Sequence, residues 1–132
     1  MSILQREKGQ NLVEFALILP FFLLIVIGMV EFGRGWMTRN ILTGAARDGA
    51  RVAAVQMNLG QSQVQGINRV NALLTPAGIT PDSVVVNDPG GSVPSIRVIV
   101  TYSYPVFILN FIPGLGPTVD LRGEATMRRE RY

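Results

Sequence analysis

The chain contains no cysteine and no histidine. The first absence removes disulfide frameworks and thiolate metal sites. The two together remove the familiar zinc sites, Ser-His-Asp triads and imidazole switches. Charge is scarce as well: 16% of the residues are Asp, Glu, Lys or Arg, the balance of a chain that spends part of itself in lipid. The formal net charge of +3 is too mild and too dispersed to argue for a nucleic-acid partner. The ending Arg128-Arg129-Glu130-Arg131-Tyr132 reads as a solvated tail. Gly90-Gly91-Ser92 lacks the strand-to-helix setting and downstream lysine of a phosphate loop, and Gly114-Leu115-Gly116 is a loop fragment. Asp82 and Asp88 read as turn aspartates that cap or face solvent. No catalytic residue, metal site, cofactor or small-molecule substrate is expected, so the sequence reads as a building block or interaction protein.

What is present is a long apolar run with a carboxylate at its mouth. Gly9-Gln10-Asn11-Leu12-Val13-Glu14 leads into sixteen uncharged residues, Phe15 to Val30. As a helix that run rises about 24 Å, and Leu12, Val13 and Phe32 to Met37 extend it across a ~30 Å hydrocarbon core. Glu31 and Arg34 are spaced to pair on one helix face at the membrane exit, and Trp36 sits where an aromatic belt is expected. Pro20 removes one helix hydrogen bond and is expected to kink the rod, which membrane helices tolerate. An ionised carboxylate inside a bilayer costs roughly 2.5–3.5 kcal/mol, so Glu14 needs a partner. An ordinary secretory signal peptide and an unprocessed signal anchor are the rival readings. Arginines lie on both sides of the span, so charge alone does not orient it.

From Met37 to about Met57 the pattern remains helical, with Ala45, Gly49 and Ala53 at four-residue spacing and Ala46, Ala50 and Ala54 one position on. Such a helix-packing face admits close approach of a neighbouring helix or of the chain's own sheet. Arg47, Asp48 and Arg51 lie on the helix surface, Asp48 three residues before Arg51, and read as solvated charge, with pairing to another subunit as the alternative. Asn58-Leu59-Gly60-Gln61 reads as the helix stop, and Gln63 to Leu74 as a second, shorter helix ended by Thr75-Pro76-Ala77-Gly78. Strands follow at Ile79–Val86, Ser95–Tyr104 and Val119–Met127, with a turn at Asp88–Ser92. The last two strands alternate: Ile96, Val98, Val100 and Tyr102 share one face, as do Val119, Leu121, Gly123, Ala125 and Met127. The fold class is therefore α+β: a long N-terminal helix, a short helix and a small antiparallel sheet. The connection Pro105–Pro117 is unusually apolar, and Phe107, Ile108, Phe111 and Ile112 form a candidate membrane or partner contact unless the sheet covers them.

Three motifs in order carry a resemblance: Gly9-Gln10-Asn11-Leu12-Val13-Glu14-Phe15-Ala16-Leu17-Ile18-Leu19-Pro20, Glu31-Phe32-Gly33-Arg34 and Ala45-Ala46-Arg47-Asp48-Gly49-Ala50-Arg51. They resemble TadE-like proteins, the minor pilins or pseudopilins of tight-adherence (Flp, type IVc) pilus systems. The resemblance implies a class III leader at 1–9, a transmembrane helix at 10–37, a periplasmic stalk helix at 38–57 and a small extracytoplasmic domain at 58–132. It implies cleavage between Gly9 and Gln10 by a prepilin peptidase. Glu14, then fifth in the mature chain, would serve assembly by meeting a neighbouring subunit's terminal ammonium in a medium of low dielectric. Phe15 stands where many Flp-type pilins have tyrosine, which leaves open which peptidase acts. The implied partners are membrane lipid, the peptidase, other pilins and the assembly platform. The implied location is the bacterial inner membrane, single-pass with the C-terminal domain periplasmic; a place in the extracellular filament, at its tip or only in the assembly machine stays open. From another class, an unprocessed membrane-tethered scaffold of a secretion or envelope complex fits the same anchor.

Overall fold

A computed structural model describes the backbone of residues 3–111, 113–114 and 116–129. Its helices are α1 (Ile3–Ala54) and α2 (Leu59–Leu74), followed by strands β1 (Ser83–Asn87), β2 (Ser95–Pro105) and β3 (Thr118–Arg128). Short 3₁₀ turns lie at Thr75–Ala77 and Phe107–Phe111. This is the α+β arrangement the sequence predicts. The chain divides into two compact units, Met1–Arg34 and Gly35–Tyr132.

In the first unit, apolar side chains point outward all round α1: Leu12, Phe15, Phe21, Phe22, Leu24, Met29 and Val30 are each more than half exposed. A helix greasy on every face has no use for water, and α1 carries a stretch long and apolar enough to cross a membrane. The ion pair expected at its exit is present, with Arg34 Nη1 3.7 Å from Glu31 Oε1.

The second unit is a three-stranded antiparallel sheet in the order β1-β2-β3, with its core between one sheet face and the two helices. Strand β2 is central, and its inward residues Ile96, Val98 and Val100 are fully buried. Register aligns Val98 with Val86 on one side and with Ala125 on the other. The outward face carries Arg97, Arg122 and Glu124, joined by contacts of 3.3 Å (Arg97 Nε) and 2.7 Å (Arg122 Nη2) to the Glu124 carboxylate. Both alternations read from the sequence thus hold, inward apolar and outward polar.

Three boundaries differ from the sequence reading. Helix α1 ends at Ala54, and Asn58 opens the next helix: its Oδ1 accepts from the Gln61 N–H at 2.8 Å. An asparagine serves as an N-cap as readily as a stop signal, so Leu59 and Gly60 belong to α2. Strand β1 starts at Ser83, because the Ile79 N–H goes back to the Leu74 carbonyl at 3.1 Å and Pro81 has none to give. The apolar connection after β2 is a tight 3₁₀ turn, closed at its base by the Val106 N–H on the Pro117 carbonyl at 3.0 Å.

Close backbone approach sets the thickness of this layer. A Cβ on Gly123 would lie 2.5 Å from the Leu42 carbonyl carbon and 2.7 Å from the Thr43 nitrogen. Those are backbone atoms that cannot swing aside, so Gly123→Ala is expected to cost about 1–3 kcal/mol or more. At Gly44 an added Cβ meets nothing within 4 Å, so Gly44→Ala is expected to gain up to about 1 kcal/mol of helix propensity. Thermal unfolding of the two variants, followed by circular dichroism in detergent, should shift in opposite directions. Equal shifts would refute the close-approach account.

Candidate assembly surfaces

Gly9, Gln10 and Glu14 lie on α1 with their side-chain positions exposed, and Pro20 is inside the same helix. Glu14 is four residues after Gln10, one turn further along, so it lies on the same side of the helix. Among the described side chains Glu14 has no ion pair. It is a carboxylate on a helix whose neighbouring side chains, Val13, Phe15, Leu17 and Ile18, are apolar and more than half exposed. In lipid, an ionised carboxylate at such a site needs a cation beside it.

The small-residue face is occupied from within. Ala45, Ala46, Ala50, Ala53 and Ala54 are all buried in the core of the second unit. A Cβ on Gly49 would stand 2.6 Å from Val70 Cγ2 and 3.1 Å from the Gly66 carbonyl oxygen. Gly66 in turn has Ala53 Cβ at 3.3 Å from where its own Cβ would be. Helices α1 and α2 therefore meet glycine to glycine, and the sheet covers the rest of this face. Of the two occupants open at the sequence level, the chain's own domain takes it.

Asp48 and Arg51 do not pair. Asp48 Oδ2 instead accepts from Arg69 Nη2 of α2 at 3.2 Å. Arg69 is 21 residues away and offered no local spacing signal. Both partners are some 40% exposed or more, which limits such a pair to about 1 kcal/mol or less. Arg47 and Arg51 are exposed, and neither has an ion pair among the described residues. Trp36 lies under Arg39, whose guanidinium carbon is 6.0 Å from the ring centroid, within the range of a cation–π contact.

Of the apolar connection, Phe107 is 57% exposed and Ile108 half-buried. The Phe111 side chain and Ile112 lie outside the described residues. Among the described residues no cluster of three or more Asp, Glu, His or Cys could hold a metal ion.

Sequence reasoning passed over Gly66 and Gly123, the two receivers of α1. The signal was there: a glycine inside a helix or a strand marks close approach of another backbone. The solvated-tail reading is corrected at its start: Arg128 ends β3, and the Arg129 guanidinium holds the Gln56 carbonyl at 2.9 Å while its N–H bonds the Pro94 carbonyl at 2.9 Å. Because the natural chain has no cysteine, single-cysteine variants report burial cleanly. Ala46→Cys should resist a water-soluble maleimide until the domain is denatured, whereas Arg47→Cys should react at once. Equal labelling of the folded protein would place the small-residue face on the outside.

Residues 9–51 match the family model described as TadE-like protein. No curated protein and no solved structure matches the chain. The matched stretch contains the three motifs quoted above, from Gly9 through Glu14 and Glu31–Arg34 to Arg51, in one collinear alignment. The similarity to TadE-like proteins thus lies in residues 9–51, the N-terminal helix.

Proposed function

We propose that the protein is a minor pilin or pseudopilin that takes part in assembling a tight-adherence pilus, and that its role is structural, not catalytic. The observation that carries this reading is Glu14: an exposed carboxylate within an apolar helix, five residues after Gly9, inside the TadE-like match. In this reading a prepilin peptidase cuts between Gly9 and Gln10 and creates an ammonium group at the new terminus. The ammonium of one subunit meets Glu14 of the next. In a medium of low dielectric that attraction far exceeds its value in water, and it offsets the insertion cost of the carboxylate. The anchored subunit displays Gly35–Tyr132 on the periplasmic side, where the assembly platform and other pilins collect it.

The test is intact mass and N-terminal sequence of protein recovered from membranes of cells that carry the peptidase. The expected product begins at Gln10, and Gly9→Leu should leave the leader in place. Glu14→Leu is expected to insert and be processed normally yet drop out of pilus assembly by at least about tenfold, because it removes the charge pair and not the anchor. A chain that keeps Met1 or Ser2, with Glu14→Leu assembling as well as the parent, would replace this reading with an unprocessed envelope scaffold.

A further inference from the structure

The two edges of the sheet are treated differently. Strand β1 is short, five residues, with Pro81 and Pro89 beside it. Around it the edge is occupied: Gln63 Nε2 donates to the Val86 carbonyl at 3.3 Å, and Asp82 caps β2 through the Thr101 carbonyl and the Ser103 N–H. Strand β3 has eleven residues, no proline or lysine, and an unbroken register with β2. Among the described residues nothing pairs with its other side. A long edge free of proline and of capping side chains is a template for one more strand.

A second observation says what that strand should carry. The Leu42–Thr43 backbone lies on Gly123, and the Arg129 guanidinium reaches the Gln56 carbonyl, so α1 and β3 run in the same direction. Asp48 and Gly49 face α2. Arg47, one turn after Thr43, and Arg51, the turn after that, therefore fall on the opposite flank, beside the β3 edge from about Ala125 onward. Both are exposed cations without an ion pair among the described residues. Four residues of helix separate them by about 6 Å. Alternate side chains on one face of a strand are separated by about 6.6–6.8 Å. The two spacings agree.

From this juxtaposition we propose that the β3 edge, flanked by Arg47 and Arg51, is a docking groove for an extended acidic segment of a partner protein. The segment adds antiparallel or parallel to β3, with carboxylates at alternating positions (acid-x-acid) toward the two arginines. A second copy of this chain fits poorly. Each β3 carries α1 directly on Gly123, and neighbouring strands are about 4.8 Å apart, whereas packed helices need about 8–10 Å. The inference rests on the folded unit alone and is independent of processing at Gly9.

The test uses the full chain in detergent micelles and two blocked peptides, Thr-Val-Asp-Val-Asp-Val-Thr and its lysine counterpart, at up to millimolar concentration. Backbone amide spectra and hydrogen exchange are the readouts. The expected result is binding of the aspartate peptide only, with slowed exchange confined to alternate β3 amides between Gly123 and Arg128. Arg47→Ser with Arg51→Ser, both exposed and harmless to the fold, should weaken binding by at least about fivefold and flatten its salt dependence. Equal binding of both peptides, no protection in β3, or indifference to the double variant would each overturn the proposal. So would a concentration-dependent dimer that protects the same amides, which would give the edge to a second copy.

Discussion

The second unit depends on how closely α1 can approach what it packs against. Between Gly35 and Ala54 the helix offers its neighbours alanine and glycine, with Leu42 as its one fully buried large side chain. Alanines bury little apolar area each, so the hydrophobic gain must come from contact density, not side-chain size. Dense contact requires the partners to yield space as well. Gly66 on α2 and Gly123 on β3 do so, each at the point where a Cβ would collide with α1 or with the residues around it. With the helix seated, Val70, Leu74, Ile96, Val98 and Val100 supply the bulk the alanines lack.

This arrangement divides α1 by angle within the folded unit. The side bearing Ala46, Ala50 and Ala53 is consumed by the core, and Asp48 is drawn toward α2 by Arg69. What remains exposed from Gly44 to the helix end is Gly44, Arg47 and Arg51. A small-residue stripe on a long helix invites the idea of helix-to-helix packing between subunits. Here that stripe is already spent, and any contact through this part of α1 must use the arginine side.

Much of this was legible in the sequence, and the reasons are physical. The membrane stretch announces itself by length, and β2 and β3 by period-two alternation, because each pattern is local and repeats. The Glu31–Arg34 pair was legible for the same reason, being one helical turn. The partner of Asp48 was not legible, because local spacing offers only Arg51, one turn on, and says nothing of Arg69 on another element. Asn58 was ambiguous because an asparagine between two helices can be written as the end of one or the cap of the next. The Gly9, Gln10 and Glu14 site came from motif order, which reaches beyond what packing displays: all three are simply exposed positions on a helix.

The unpaired charges of this chain differ in what they demand. Arg47 and Arg51 are exposed beside a water-facing sheet, where solvation already satisfies them; they permit a partner without requiring one. Glu14 is exposed among Val13, Phe15, Leu17 and Ile18, and once those side chains face lipid no water remains to solvate it. Its ionised form is then tolerable only beside a cation. The same exposure therefore carries different obligations in the two units, and medium, not accessibility, decides which charge drives association. Under the function proposed above, assembly driven from the anchor and specificity read from the domain follow from that asymmetry, since a lipid-facing charge is indifferent to which subunit supplies the cation and only the shaped, wet surface can tell partners apart.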